Sequence, residues 1–515
     1  MTSAQIGIMI AIIVYMISTI AIGLYFSRKS KTTGDFYLGG RKLGPFVTAM
    51  SAEASDMSAY LLMGLPGLAY FTGSAEVFWT ITGLAVGTYL NWLLVAKRLR
   101  TYSATTGSIT IPDFFADRFR DKKVLRCVAA LIIIIFFVPY TASGFAACGK
   151  LFHSLFGANY HVAMIASAIV IVLYTTLGGF LAASTTDFVQ GIIMTIALIA
   201  IVVFGVITVG GVDKVIAIAK DVPGYLSLTA HLPKGPFGKI VPESFNGIAI
   251  VSTLAWGLGY FGMPHILLRF MAIEKPSKVK LSRRVASIWV VISMFIALFI
   301  GIVGYAMTME GKIPKLTDGS VAETVISEIS KLLSTYGFVF AILAGVVLAG
   351  ILASTMSTSD SQLLAASSSV SENMVEGVFG IKLSAKLKMI VARVAVICIS
   401  IIAMIIAMDP ESNVFQIVSF AWAGFGATFG PVMLVSLFWK RANKYGVITG
   451  MIAGAVTIFV WKFVVRPIGG AFDIYELLPA FIVALVVIII VSLLTKKPDD
   501  EIVEEFESVK SKLHS

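Results

Sequence analysis

The sequence predicts an all-α polytopic membrane protein with about thirteen transmembrane helices. Three observations carry this. The 515 residues are 57% hydrophobic and only 13% charged, roughly half the charge of an average soluble domain. Apolar segments of about 20 residues, enough for a helix to cross the hydrocarbon core, recur along the chain. The basic residues gather in alternate loops, as they do where they orient membrane helices. The net charge of +11 would point to nucleic acid in a soluble protein. Here it sits between apolar spans and sets topology, so the implied partner is a lipid bilayer, with no nucleic acid and no obligate protein partner.

Span 1, residues 5–26, lacks a basic region before it and reads as a retained helix rather than a cleaved signal. Span 2, residues 45–72, is unusual. Its centre reads Ser51-Ala52-Glu53-Ala54-Ser55-Asp56-Met57-Ser58, followed by Gly64, Pro66 and Gly67. Each ionised side chain at mid-membrane costs about 3 kcal/mol on insertion scales. Irregular backbone at that depth survives only inside protein or against a polar cavity. The stretch therefore reads as a broken helix that binds an ion. The alternative is a helix whose polar residues bond only to neighbouring helices.

Spans 3 to 6 fall near 76–96, 124–150, 161–182 and 187–210. Span 7, 246–271, contains Gly257-x-Gly259-x-x-Gly262, a dinucleotide fingerprint by letter. It lies in an apolar span with no preceding strand, so that reading is rejected. The glycines and Pro264 predict a second broken helix. Span 8 is 285–308. Span 9, 336–370, is long and carries Ser354, Thr355, Ser357, Thr358, Ser359, Asp360, Ser361 and Gln362. Spans 10 to 13 fall near 389–408, 413–439, 445–465 and 474–494, and Gly424, Gly426 and Pro431 make a weak point in span 11.

Basic clusters follow the odd-numbered spans: Arg28, Lys29, Lys31, Arg41 and Lys42 after span 1, and others after spans 3, 7, 9 and 11. These ends then face the cytoplasm, with the N-terminus outside and the C-terminus inside. The chain divides into one transmembrane domain, 1–495, and a polar tail, 496–515. In the tail, Ile502, Phe506, Val509 and Leu513 share one helical face, but a solvated tail is the simpler expectation.

The two breaks lie five spans apart, so the broken helices run in opposite directions. That is the requirement of an inverted repeat of five plus five helices, spans 2–6 (about 45–210) and 7–11 (about 246–439), with spans 1, 12 and 13 peripheral. Transporters place their sites at such paired breaks. A hard monovalent cation wants oxygen ligands. Span 2 offers carbonyls around Ala54 and Met57. Span 9 offers the hydroxyls of Ser357 and Thr358 and the carbonyl of Ser354. Hydroxyls bonding back to their own helix are the ordinary alternative. No soft ligands cluster, so Na⁺ is the only metal implied. Cys127, Cys148 and Cys398 form no pair. No nucleophile with a base appears, so the chain does not read as an enzyme and no catalytic residues or cofactor are assigned. A sensor would need an output domain larger than this tail, and a channel would show single-channel currents.

The stretches 35–67, 177–190, 256–272, 356–364 and 421–432 resemble the sodium:solute symporter family, most closely its sodium/proline branch. The resemblance runs from about residue 6 to 495. It implies a leucine-transporter-like fold, a cytoplasmic-membrane location and Na⁺-coupled uptake of a small zwitterion, L-proline, by alternating access. By position it puts the main sodium site on Ala54, Met57, Ser354, Ser357 and Thr358, with Asp56 assisting. Substrate contacts fall on Ser58, Tyr140, Trp256, Tyr260 and Pro264. A second sodium, as in some relatives, falls on Asp187, Ser357, Asp360 and Ser361. The alternative for Asp187 is a helix cap after Ser184-Thr185-Thr186. Three positions depart from the pattern. Glu53 stands where a small residue is expected, Ser354 replaces an alanine, and Met263 replaces a polar residue. The last leaves open another family solute, such as pantothenate, a sugar or another amino acid. Glu53 leaves open H⁺ in place of Na⁺.

Overall fold

A computed structural model describes residues 2–27, 32–238 and 240–513. Arg28, Lys29 and Lys31 of the first basic loop lie outside the described residues, as does the end of the tail. Apart from a two-residue antiparallel ribbon, Ala230–His231 with Glu243–Ser244, the regular structure is helical.

The elements that build the site are α1 Ser3–Ser27, α2 Pro45–Ala59, α3 Leu65–Thr72, α4 Ser74–Leu90, α5 Val124–Phe156, α6 Tyr160–Val209, α7 Gly247–Leu254, α8 Pro264–Ala272, α9 Val279–Met309 and α10 Phe338–Ser368. Later in the chain come α11 Ala385–Ile406, α12 Val414–Phe438, α13 Lys444–Val460, α14 Leu477–Leu494 and α15 Asp500–Lys512, and shorter helices such as Lys97–Thr106 and Ile111–Arg118 lie in the connections.

Among the described residues, ten helices are long and apolar enough to cross a membrane. The count rises to eleven if the pair Gly247–Phe261 and Pro264–Ala272, bent by 44°, is one span. Thirteen results only by adding the interrupted α2–α3 span and by dividing α6. The two segments expected at 161–182 and 187–210 form one 50-residue element in which Gly179 has φ +66 and ψ −170. Fifty helical residues would extend about 75 Å, more than twice the hydrocarbon thickness. The chain turns at Gly179, where a side chain would run into Phe36. Asp187 then lies eight residues into the second arm, so it caps no helix.

The span-2 break sits earlier than Pro66 and Gly67 suggest. Past the break the chain enters a π turn, Tyr60–Gly64, that runs straight into α3, and this wider turn takes up the missing N–H of Pro66. The departure from helix is at Ser58, φ +48 and ψ −166, a region non-glycine residues rarely enter. Span 7 breaks as expected. Its α-helix tightens to a 3₁₀ stretch over Ala255–Phe261 and restarts at Pro264. The glycines serve close packing. A Cβ on Gly257 would lie 2.2 Å from the Gly83 carbonyl oxygen, and one on Gly259 would strike the Trp422 indole. By contrast α12 runs unbroken through Pro431, and Gly424 makes room for Phe136.

The tail differs from the solvated segment expected. It forms α15, and Ile502, Phe506 and Val509 are buried. Arg118 stacks over Phe506, Arg120 pairs with Glu505, and Lys97 bonds the Leu513 carbonyl. The face legible in the sequence is thus the docked face. The three cysteines are free.

Candidate functional site

At the first break the Ser58 hydroxyl accepts the Tyr60 N–H at 3.1 Å, acting as a small cap. The break opens the carbonyls on its rim to side chains from elsewhere. The Ser357 hydroxyl of α10 donates to the Ala54 carbonyl at 2.8 Å and to the Ser354 carbonyl at 3.1 Å. The Thr358 hydroxyl donates to the same Ser354 carbonyl at 3.1 Å. Four of the five sequence-predicted ion ligands therefore share one hydrogen-bonded knot between α2 and α10. The set consists of carbonyl and hydroxyl oxygens, which fits a hard monovalent cation. The Ser354 side chain is occupied elsewhere, donating to Ile351. Met57 is fully buried, but its carbonyl accepts the Tyr60 N–H and no bond ties it to α10.

Asp56 points to the other side of α2. Its Oδ2 accepts the Tyr260 hydroxyl at 2.6 Å, and its backbone carbonyl accepts the Tyr140 hydroxyl at 3.4 Å. Around it a void of about 10 Å³ is lined by Met57, Tyr60, Tyr140, Trp256 and Trp422 among others. That space holds at most one water. Trp256 stacks on Tyr60, 5.5 Å between centroids, and on Tyr475, 5.0 Å. Phe415 lies 5.6 Å from both Tyr60 and Trp256. Beyond this aromatic layer opens a cavity of about 460 Å³, with Trp256 and Phe415 on its floor and Glu76, Glu323, Lys462 and Arg466 on its walls. Tyr140, Trp256 and Tyr260 thus converge on the break with Ser58 nearby. Pro264 is buried at the start of α8 but does not line the void.

On the other side of the break lies a buried charged network. Arg269, absent from the sequence-predicted set, donates to Asp187 at 3.0 Å, Ser361 at 2.5 Å and Ser51 at 3.0 Å. Ser51 also donates to Asp187 at 2.7 Å, and Arg269 lies over the Phe180 ring. Asp360 accepts hydroxyls from Tyr174 at 2.6 Å and Ser361 at 3.0 Å. The residues expected for a second sodium therefore come together, but with a guanidinium already among them. The signal was in the sequence, since an arginine inside the apolar run ILLRFMA needs an intramembrane partner. A second buried pair also went unseen, Lys150 to Glu323 at 3.0 Å. Glu53 has an unexpected partner too, since its Oε1 accepts the Trp92 indole N–H at 2.9 Å.

Known proteins resemble this arrangement at two levels. The family model described as "Sodium:solute symporter family" matches residues 36–454. The osmoregulated proline transporter OpuE of Bacillus subtilis is 40% identical over 499 residues, 96% of each chain. The sodium/proline symporter of Escherichia coli is 40% identical over 504 residues, covering 98% of this chain and 96% of its own. Among solved structures, a Na⁺-coupled sialic acid symporter in a substrate-bound outward-open state superposes with a TM-score of 0.78. Its sequence identity is 16%, over 96% of this chain and 99% of that one. The fold is leucine-transporter-like, as the resemblance implied. With one family model spanning most of the chain and relatives 40% identical along nearly all of it, this multi-pass membrane protein belongs to the sodium:solute symporter family.

Proposed function

We propose that the protein is a Na⁺-coupled symporter that takes up L-proline by alternating access. The observation that carries this is the knot joining the Ala54 and Ser354 carbonyls to the Ser357 and Thr358 hydroxyls across a broken helix. A sodium ion there would tie α2 to α10 and fix the rim on which Ser58, Tyr140 and Tyr260 sit. The names of the relatives, a proline transporter and a sodium/proline symporter, support the solute. So does the chemistry. Aromatic rings pack a pyrrolidine and attract its cationic nitrogen, and amides at the breaks hold a carboxylate.

In this reading, sodium raises the affinity for proline, and by linkage proline raises that for sodium by the same factor. The aromatic layer of Tyr60, Trp256 and Phe415 is the outer gate, and the Arg269 network is the inner closure. One Na⁺ crossing 100 mV releases about 2.3 kcal/mol before any concentration gradient. The repeats are α2 to the end of α6 and α7 to the end of α12. The N-terminus is outside and the C-terminus in the cytoplasm. This is supported by α15 packing against the basic segment 97–123, which puts the tail on the basic side. A sodium at Asp187, Ser357, Asp360 and Ser361 would have to compete with Arg269, so we assign none there.

The test is uptake of labelled L-proline into proteoliposomes holding only this protein, with and without an inward Na⁺ gradient. Sodium-dependent accumulation, competed by unlabelled proline, is the expected result. Uptake of another family solute in its place would move the substrate and leave the ion reading intact.

A further inference from the structure

Six carboxylates are buried among the described residues: Glu53, Asp56, Asp187, Glu323, Asp360 and Glu476. Three have a fixed cation. Asp187 pairs with Arg269 at 3.0 Å, Glu323 with Lys150 at 3.0 Å and Glu476 with Arg466 at 2.9 Å. Asp360 has both oxygens taken by hydroxyls, Tyr174 and Ser361. Glu53 and Asp56 differ. Neither forms an ion pair among the described residues, and each keeps one oxygen, Glu53 Oε2 and Asp56 Oδ1, buried without a partner. Exposure is 1% for Glu53 and 6% for Asp56. Two uncompensated carboxylates on one turn of a buried helix are strongly unfavourable, since burial removes solvation and nothing returns it.

Span 3 faces them with the same defect. The Thr88 hydroxyl and the Asn91 Oδ1 are fully buried and unpartnered. The two groups belong to one place. Trp92, next to Asn91, donates to Glu53 at 2.9 Å. The Asn91 amide donates to the Tyr260 carbonyl at 2.9 Å, Thr88 lies beside the Tyr260 hydroxyl, and that hydroxyl reaches Asp56 at 2.6 Å. At Asn91 the helix also widens into a π turn, Asn91–Ala96, a distortion frequent at functional sites. Positions three apart are neighbours on a helix face, so Glu53 and Asp56 form one edge and Thr88 and Asn91 the other. All four orphan atoms are hard oxygens.

We propose that these residues bind a second sodium ion, held by the Glu53 and Asp56 carboxylates with Thr88 and Asn91 completing the shell. This rests on the symporter reading above but uses a different face of α2. The Ala54 carbonyl meets Ser357 of α10, whereas the Glu53 side chain meets Trp92 in the π turn that follows α4. The two sodium ions together neutralise the two carboxylates. The new site also adjoins the substrate pocket, because Asp56 lends one oxygen to the ion and the other to Tyr260. It is separate from the Asp187 cluster, whose cation is Arg269.

The test is equilibrium binding of ²²Na⁺ to the purified full-length protein in nanodiscs, with L-proline present. Two ions per chain are expected. Glu53→Gln should bind one, as should the Ser357→Ala/Thr358→Val variant, and the combination none. Thr88→Val/Asn91→Leu keeps both carboxylates, so it carries the test if Glu53→Gln fails to fold. It should weaken one of the two binding events about ten-fold or more, a 1.4 kcal/mol change. One ion per wild-type chain with proline uptake intact, as when Glu53 simply carries a proton, overturns this site alone. So does retention of two ions at unchanged affinity in both the Glu53 and the Thr88/Asn91 variants. No bound sodium and no proline uptake overturns the symporter reading with it.

Discussion

The Tyr260 hydroxyl donates to Oδ2 of Asp56 across 2.6 Å. This bond joins the two broken spans, across 204 residues of chain, at the level where both depart from regular helix. A change at either end should therefore be felt in both ion and substrate binding.

Tyr260→Phe removes the donor and leaves a buried carboxylate oxygen unpaired. Hydrogen bonds to charged groups contribute about 1.5–3 kcal/mol, so the apparent affinity for proline should fall about ten-fold or more. Asp56→Asn should instead raise the sodium concentration for half-maximal uptake. Kinetics of labelled proline uptake across a sodium series separate the two effects. Unchanged sodium dependence in Asp56→Asn would remove Asp56 from the ion site.

Ser357→Ala and Thr358→Val delete the hydroxyls but keep the helix. Each should raise the half-saturating sodium concentration several-fold while maximal uptake at saturating sodium persists in part. If both variants respond to sodium as the parent does, these hydroxyls serve only to bond their own helix.

Arg269→Met strands Asp187 without its cation at 0% exposure. Breaking a buried pair costs about 3–5 kcal/mol, so the melting temperature in detergent should drop clearly. Adding Asp187→Leu should recover much of the loss, since an apolar pair is often no less stable than an ionic one. A double variant as unstable as the single one would show that Arg269 acts through Ser51 and Ser361 instead.

Phe506→Ala should undock the C-terminal helix. Burying a phenylalanine contributes about 1.5–3 kcal/mol, so amide exchange over residues 500–512 should rise markedly. Arg120→Ala should change it far less, because exposed ion pairs contribute little.

The parts legible in sequence were those whose signal is local. Glu53 and Asp56 in an apolar run announced a polar site, the glycines and Pro264 announced the second break, and Ser357 and Thr358 announced the facing oxygens. Ile502, Phe506 and Val509 announced a helical face, although composition alone argued that it stays wet. What stayed hidden depends on pairing between distant segments. Arg269 and Asp187 are 82 residues apart, and nothing near either names the other. The turn at Gly179 depends on Phe36 filling the space that a side chain would need. Pro66 drew the break too far along the chain, because the π turn Tyr60–Gly64 carries the helix past a proline.

The void at the break, about 10 Å³ and ringed by Tyr60, Tyr140, Trp256 and Trp422, has an electrical consequence. A carrier that closed around a continuous thread of water would let sodium and protons slip through unaccompanied, and the membrane would discharge at rest. With room for at most one water at the break, no such thread runs through it. A planar bilayer filled with it should carry no current until substrate is added.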